Sequence, residues 1–284
     1  MEDLLKACYI PLDKSWIIRM GVLDLLNGYN DCLNFLKKQK FLSDDLKALY
    51  KSIIAWNNNE IIPVGESGTL YRFLRLASWK LDLEKQFILS GTLKQRKIYD
   101  DPTIIFLSLK ELLKLDGRTS QWASASVLLG NPELVNDPPF KLKLTYEAVD
   151  HWKTMRENGL CWEPRYDKTI LIQAEIFIKL LKGETVNFTP KQAEDYCFAR
   201  AFNFITKNEG EKRWPQLHNH ESDRLIEMEK VMQSVEEGEI DSKDHRVVQA
   251  IAMLAKLKGK SIKFKYLKAV SKSWPQFWDF LKQL

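Results

Sequence analysis

Ser15-Trp-Ile-Ile-Arg-Met-Gly-Val-Leu-Asp-Leu-Leu26, closed by Asn27-Gly28, is the stretch on which the fold reading turns. A small polar residue leads into an apolar helical pattern, and a glycine ends it. The same design recurs at Gly68-Thr-Leu-Tyr-Arg-Phe-Leu-Arg-Leu-Ala77 and at Ser120-Gln-Trp-Ala-Ser-Ala-Ser-Val-Leu-Leu129. It returns at Lys191-Gln-Ala-Glu-Asp-Tyr-Cys-Phe-Ala199 and at Lys243-Asp-His-Arg-Val-Val-Gln-Ala-Ile-Ala-Met-Leu-Ala255. Taking Asp244 as the last start, the intervals are 53, 52, 71 and 53 residues. Three of the four agree, which marks an internal repeat of about fifty residues.

Second helices lie between the marked ones, such as Leu46 to Trp56 behind Ser43-Asp44-Asp45, and Glu221 to Val235. Short alternating or β-branched runs, Lys141–Thr145, Lys168–Ile172 and Ser261–Lys265, read as strands. Two helices and a few strands per repeat predict an α/β chain built of supersecondary blocks. The polar stretch Cys161-Trp-Glu-Pro-Arg-Tyr-Asp167 is the place to divide the chain.

The composition excludes several classes. Apolar residues make up 45% of the 284, yet no apolar run reaches the length of a membrane span. The start, Met1-Glu2-Asp3-Leu4, lacks a basic leader, so a cytoplasmic address is expected. Cys8, Cys32, Cys161 and Cys197 stand singly, offering neither a disulfide framework nor a zinc ribbon. The net charge of +5 is spread along the chain, which does not favour nucleic acid. The two histidines of His218-Asn-His220-Glu221 stand two apart and share no helix face, so no metal is expected there. The nine tryptophans read as packing residues.

Helix starts rich in Ser, Thr and Gly beside Lys or Arg suit phosphate, because open N–H groups and the positive end of the helix dipole face the ligand. Lys14-Ser15 with Arg19, Gly68-Thr69 with Arg72, and Thr119-Ser120-Gln121 all have this form.

In order, these stretches resemble the 5-enolpyruvylshikimate-3-phosphate synthase (EPSP synthase) family. Pro11-Leu-Asp-Lys-Ser-Trp-Ile-Ile-Arg19 is similar to that family's PGDKSxxxR, Gly65-Glu-Ser-Gly-Thr-Leu-Tyr-Arg72 to GNAGTxxR, and Gln95-Arg96 to ERP. Thr119-Ser-Gln121 is similar to SSQ, and Pro139-Phe-Lys-Leu-Lys-Leu-Thr145 to KPYxxxTL. Glu221-Ser-Asp-Arg224 is similar to KESDR, Asp244-His-Arg246 to DHR, and Ser271-Lys-Ser-Trp-Pro275 to AKSFP. Each match is loose; the ordered set is specific.

The resemblance implies two lobes of repeated βαβαββ-type units. The first, residues 12–166, would hold three units; the second, residues 167–284 with 1–11, about two, one fewer than the family has. It implies transfer of the enolpyruvyl group of phosphoenolpyruvate to shikimate 3-phosphate or a related acceptor, with no cofactor. Lys14, Arg96, Arg224, Arg246 and Lys272 would grip phosphoenolpyruvate; Ser15, Arg19, Thr119, Ser120 and Gln121 would hold the phosphorylated acceptor. Gly68 and Thr69 would offer their helix start. Glu221, with Lys14, would move the protons. Lys191 stands where the family has the aspartate at the attacking hydroxyl, with Glu194 and Asp195 one turn along. His220 replaces a lysine and Glu66 an asparagine, and a carboxylate near a phosphate site weakens it. The alternative is a catalytically inactive relative that binds an anionic ligand or a protein partner.

Overall fold

The computed structural model describes residues 8–115, 119–130, 138–160, 162–163, 165–219 and 222–284. They divide into two compact units, residues 12–165 and residues 1–11 with 166–284.

The N-terminal unit is organised around α1 (Lys14–Leu26), buried without interruption from Trp16 to Leu25. A helix apolar on all sides has to be central. Asp13 caps it, its carboxylate accepting from the Trp16 N–H at 3.0 Å. Around it lie α2 (Asp31–Lys37), α3 (Asp44–Asn57) and α4 (Gly68–Lys80), then α5 (Leu109–Leu115), α6 (Gln121–Leu128) and α7 (Lys143–Glu157). Strands β1 (Ile62–Gly65) and β2 (Phe87–Leu89) pair in parallel, Ile62 opposite Phe87, with α4 as their crossover.

The C-terminal unit comprises α8 (Lys168–Leu181), α9 (Tyr196–Ala201), α10 (Lys207–Arg213), α11 (Arg224–Ser234), α12 (His245–Leu257) and α13 (Phe277–Gln283). Here the central helix is α12, buried from His245 to Ala255 and capped by Asp244. It connects β3 (Glu239–Ile240) to β4 (Lys263–Phe264), again a parallel pair. Two clusters fill this unit's core, and the second includes Ile10 beside Trp274 and Phe280.

The expected α/β fold of βαβαββ units is overturned: the chain is 62% helix and 5% strand, with only two small two-stranded sheets among the described residues. Of the three runs read as strands, only the last contains one, Lys263–Phe264. Lys168–Ile172 begins α8, because Asp167 caps the Ile170 N–H at 3.0 Å and the buried set Ile170, Ala174 and Phe177 follows helical spacing. Lys141–Thr145 enters α7 by a 3-10 turn, with Leu142, Thr145 and Ala148 buried three apart. No described helix is long and apolar enough to cross a membrane.

His218 joins two helices in the C-terminal unit. Its Nδ1 lies 2.8 Å from Asp223, the cap of α11, and its Nε2 3.0 Å from Glu211 on α10. These two bonds raise its pKa above the ordinary histidine value. A raised folded pKa gives stability that is fully present below the unfolded value of about 6.5 and fades as pH rises through the folded one. Wild type should therefore melt above His218→Gln at pH 5.5, and the gap should narrow by pH 8.5. Scanning calorimetry at the two pH values measures it; a gap that does not narrow contradicts the assignment.

Candidate functional site

The side chains that could meet an anion in the N-terminal unit gather on the starts of α1, α4 and α6. Arg19, one turn into α1, is 8% exposed. Its Nε donates to Thr145 Oγ1 at 2.8 Å, and a terminal nitrogen donates to the Ser15 carbonyl at 2.6 Å. The guanidinium carbon lies 5.4 Å from the centre of the Phe73 ring. Among the described residues no carboxylate bonds Arg19; Asp13 acts on it only at longer range. Burial pushes its pKa down to about 10, so it stays charged at neutral pH. A buried cation served by a hydroxyl and a carbonyl is an electrostatic deficit that an anion would fill.

Thr145 Oγ1 donates onward to Ser124 Oγ at 3.0 Å. Ser124 sits on α6, one turn beyond Gln121. The Gln121 carbonyl accepts from Arg72 at 2.6 Å, and its amide donates to Thr69 Oγ1 at 2.7 Å. Two hydrogen-bonded groups thus meet α6 within one turn: Arg19 with Thr145 at Ser124, and Thr69 with Arg72 at Gln121.

The start of α4 provides the other half. Ser67 caps it through the Leu70 N–H at 3.4 Å, while the N–H groups of Gly68 and Thr69 take no partner among the described residues. A Cβ at Gly68 would come within 3.0 Å of an Arg72 nitrogen and 3.4 Å of an Arg96 nitrogen. Glycine there lets two guanidinium groups crowd a helix N-terminus, an arrangement suited to phosphate or carboxylate. Arg96 donates to Thr92 Oγ1 at 3.0 Å, and Thr92 donates to Glu66 at 3.0 Å. The carboxylate of Glu66 therefore enters the surroundings of this helix start and opposes an anion there.

The remaining expected residues are placed as follows. Lys14 forms an ion pair with Asp45 at 2.7 Å, with side-chain exposures of 20% and 9%. Ser15 lends its carbonyl to Arg19. Thr119 Oγ1 accepts from the Gln121 N–H at 3.4 Å, and Ser120 Oγ donates to the Lys141 carbonyl at 3.0 Å.

In the C-terminal unit, Arg224 donates to Asp244 at 2.8 Å, both side chains almost wholly buried. Arg246 is 7% exposed; one of its terminal nitrogens lies 3.9 Å from Asp167, and the other is buried without a hydrogen bond. Lys272 closes a half-buried 3-10 turn. Lys191 is exposed, and its backbone N–H donates to Asp195 at 2.9 Å. Asp195 is the buried carboxylate of that segment, also accepting from Gln173 at 3.2 Å; burial raises its pKa. Glu221 and His220 lie outside the described residues. Both ring nitrogens of His218 are already taken by Asp223 and Glu211.

Sequence reasoning missed Asp45, Ser124 and Gln173 as partners, and it placed Thr145 only within a motif. Ser124 stands one turn after Gln121 in a helical pattern and could have been found from register. Asp45, 31 residues from Lys14, left no local signal. No family model, curated protein or solved structure matches the chain.

Proposed function

We propose that the N-terminal unit binds a small molecule carrying phosphate or carboxylate groups, held by Arg19 and by the start of α4 with Arg72 and Arg96. The carrying observation is Arg19: a guanidinium 8% exposed that bonds a hydroxyl and a carbonyl but no carboxylate. Binding an anion there neutralises the buried charge and adds charge-assisted hydrogen bonds. The resemblance to EPSP synthases suggests shikimate 3-phosphate as the first molecule to try. The cytoplasm is the proposed setting, with Cys8, Cys32 and Cys197 as free thiols. Titration calorimetry at low salt, with inorganic phosphate and with shikimate 3-phosphate, tests the reading. Saturable binding supports it; no heat at millimolar ligand, for folded protein, rejects it.

Enolpyruvyl transfer from phosphoenolpyruvate is the second reading, and the observation favouring it is Asp195. Burial holds this carboxyl above the ordinary range, moving it toward the basicity wanted of a group that takes a proton from a hydroxyl. Lys191 is exposed and does not share that burial. Lys14 is paired with Asp45, which favours the binding reading over the catalytic one. Release of phosphate from a mixture of the two family substrates, lost in Asp195→Asn, would promote transfer to first place; no release from wild type leaves the protein a binder.

A further inference from the structure

A cavity of about 690 Å³ opens in the N-terminal unit, along the side of α2 and beside the end of α7. It shares no lining residue with the Arg19 cluster or the start of α4. Phe35 and Trp162 form its aromatic wall, ring centroids 5.5 Å apart and planes tilted by 34°. Tyr29, also in the lining, already carries the Arg156 guanidinium on its face at 3.8 Å. That leaves Phe35 and Trp162 for a flat guest.

The polar groups set the charge of such a guest. Arg156 is committed to Asp24 and Asp31, yet its Nε has no acceptor. The Trp162 indole N–H has none either. Lys38, one turn beyond Phe35, is exposed and makes no ion pair with a described residue. Of the charged groups in the lining, Asp31 and Arg156 are paired with each other, and the Lys38 ammonium is left without an ion pair among the described residues. At the opposite end of α2, about 10 Å away at 1.5 Å per residue, stands the carboxylate of Asp31.

We propose that this cavity binds a small aromatic monocarboxylate. The ring stacks against Phe35 and Trp162, and the carboxylate turns toward the Lys38 ammonium. Asp31, at the far end, is already paired with Arg156, so a second anionic group would find no free cation there. A volume within the usual range for small-molecule sites accommodates such a guest.

The probe is 4-fluorobenzoate, followed by fluorine NMR on the whole chain. The expected result is saturable broadening of its resonance, with 4-fluorobenzyl alcohol at least about tenfold weaker because it lacks the charge. Lys38→Gln should weaken binding by about fivefold, as befits a solvent-exposed ion pair. Trp162→Leu removes one of the two stacking rings and should weaken binding by about threefold. Inorganic phosphate should not displace the probe. No broadening at millimolar probe with folded protein overturns the proposal, as do equal affinity for the alcohol and an unchanged Lys38→Gln. Displacement by phosphate would move the probe to the Arg19 cluster and overturn it too. A failure here leaves the anion site of the previous subsection untouched.

Discussion

Arg19→Met should lose anion binding by about 10- to 100-fold, the worth of one charge-assisted hydrogen bond, while remaining at least as stable as wild type. The two halves of this expectation have one cause. Arg19 is desolvated without a contacting carboxylate, so its burial opposes folding in the absence of ligand. Methionine has similar reach, packs on Phe73, and leaves Thr145 still bonded to Ser124. Calorimetric titration gives the affinity and urea unfolding the stability. Unchanged affinity would remove Arg19 from the site; a large loss of stability would make its role structural.

Asp244→Ala should destabilise the protein by about 3–5 kcal/mol, because it breaks a buried ion pair and removes a helix cap together. Asp244 does two jobs. One oxygen accepts from Arg224 at 2.8 Å and from Ser222 at 3.2 Å; the other caps α12 through the N–H groups of Arg246 and Val247. The cap accounts for about 1 kcal/mol and the pair for the rest. Adding Arg224→Met to Asp244→Ala removes the desolvated guanidinium as well, so the double variant should recover part of the loss. Urea titrations of the three proteins decide the matter. A single-variant loss below about 1 kcal/mol, or a double variant no better than the single, would show that the pair is not what holds this end of α12.

Helix starts were legible in the sequence because their signals are local. Gly68 begins α4, Gln121 begins α6 behind Ser120, and Asp244 caps α12. Strands were not, since a run such as Lys168-Thr-Ile-Leu-Ile172 is apolar and β-branched yet too short for its period to be read. Asp167, three residues before Ile170, carried the missing information as a cap. Residues named from sequence fall into two polar systems that share α6: Thr69 with Gln121, and Ser15 with Arg19, the latter continued to α6 by Thr145 and Ser124. Ser124 and Thr145 meet across 21 residues, and Thr145 meets Arg19 across 126. Such pairings are made by tertiary packing and leave no trace in local pattern.

The placement of Ile10 in the core beside Trp274 and Phe280, with the Trp274 indole donating to the Tyr9 carbonyl at 2.6 Å, bears on synthesis. Tyr9 and Trp274 stand 265 residues apart, so the segment around Tyr9 and Ile10 is made long before the partners it packs against. Residues 12–165 can collect their own core while that segment waits. The C-terminal unit, by contrast, can close only once the residues around Trp274 and Phe280 have been made. The segment around Tyr9 and Ile10 must meanwhile be kept from wrong partners, which makes that wait, and not early collapse, the vulnerable moment in producing this protein.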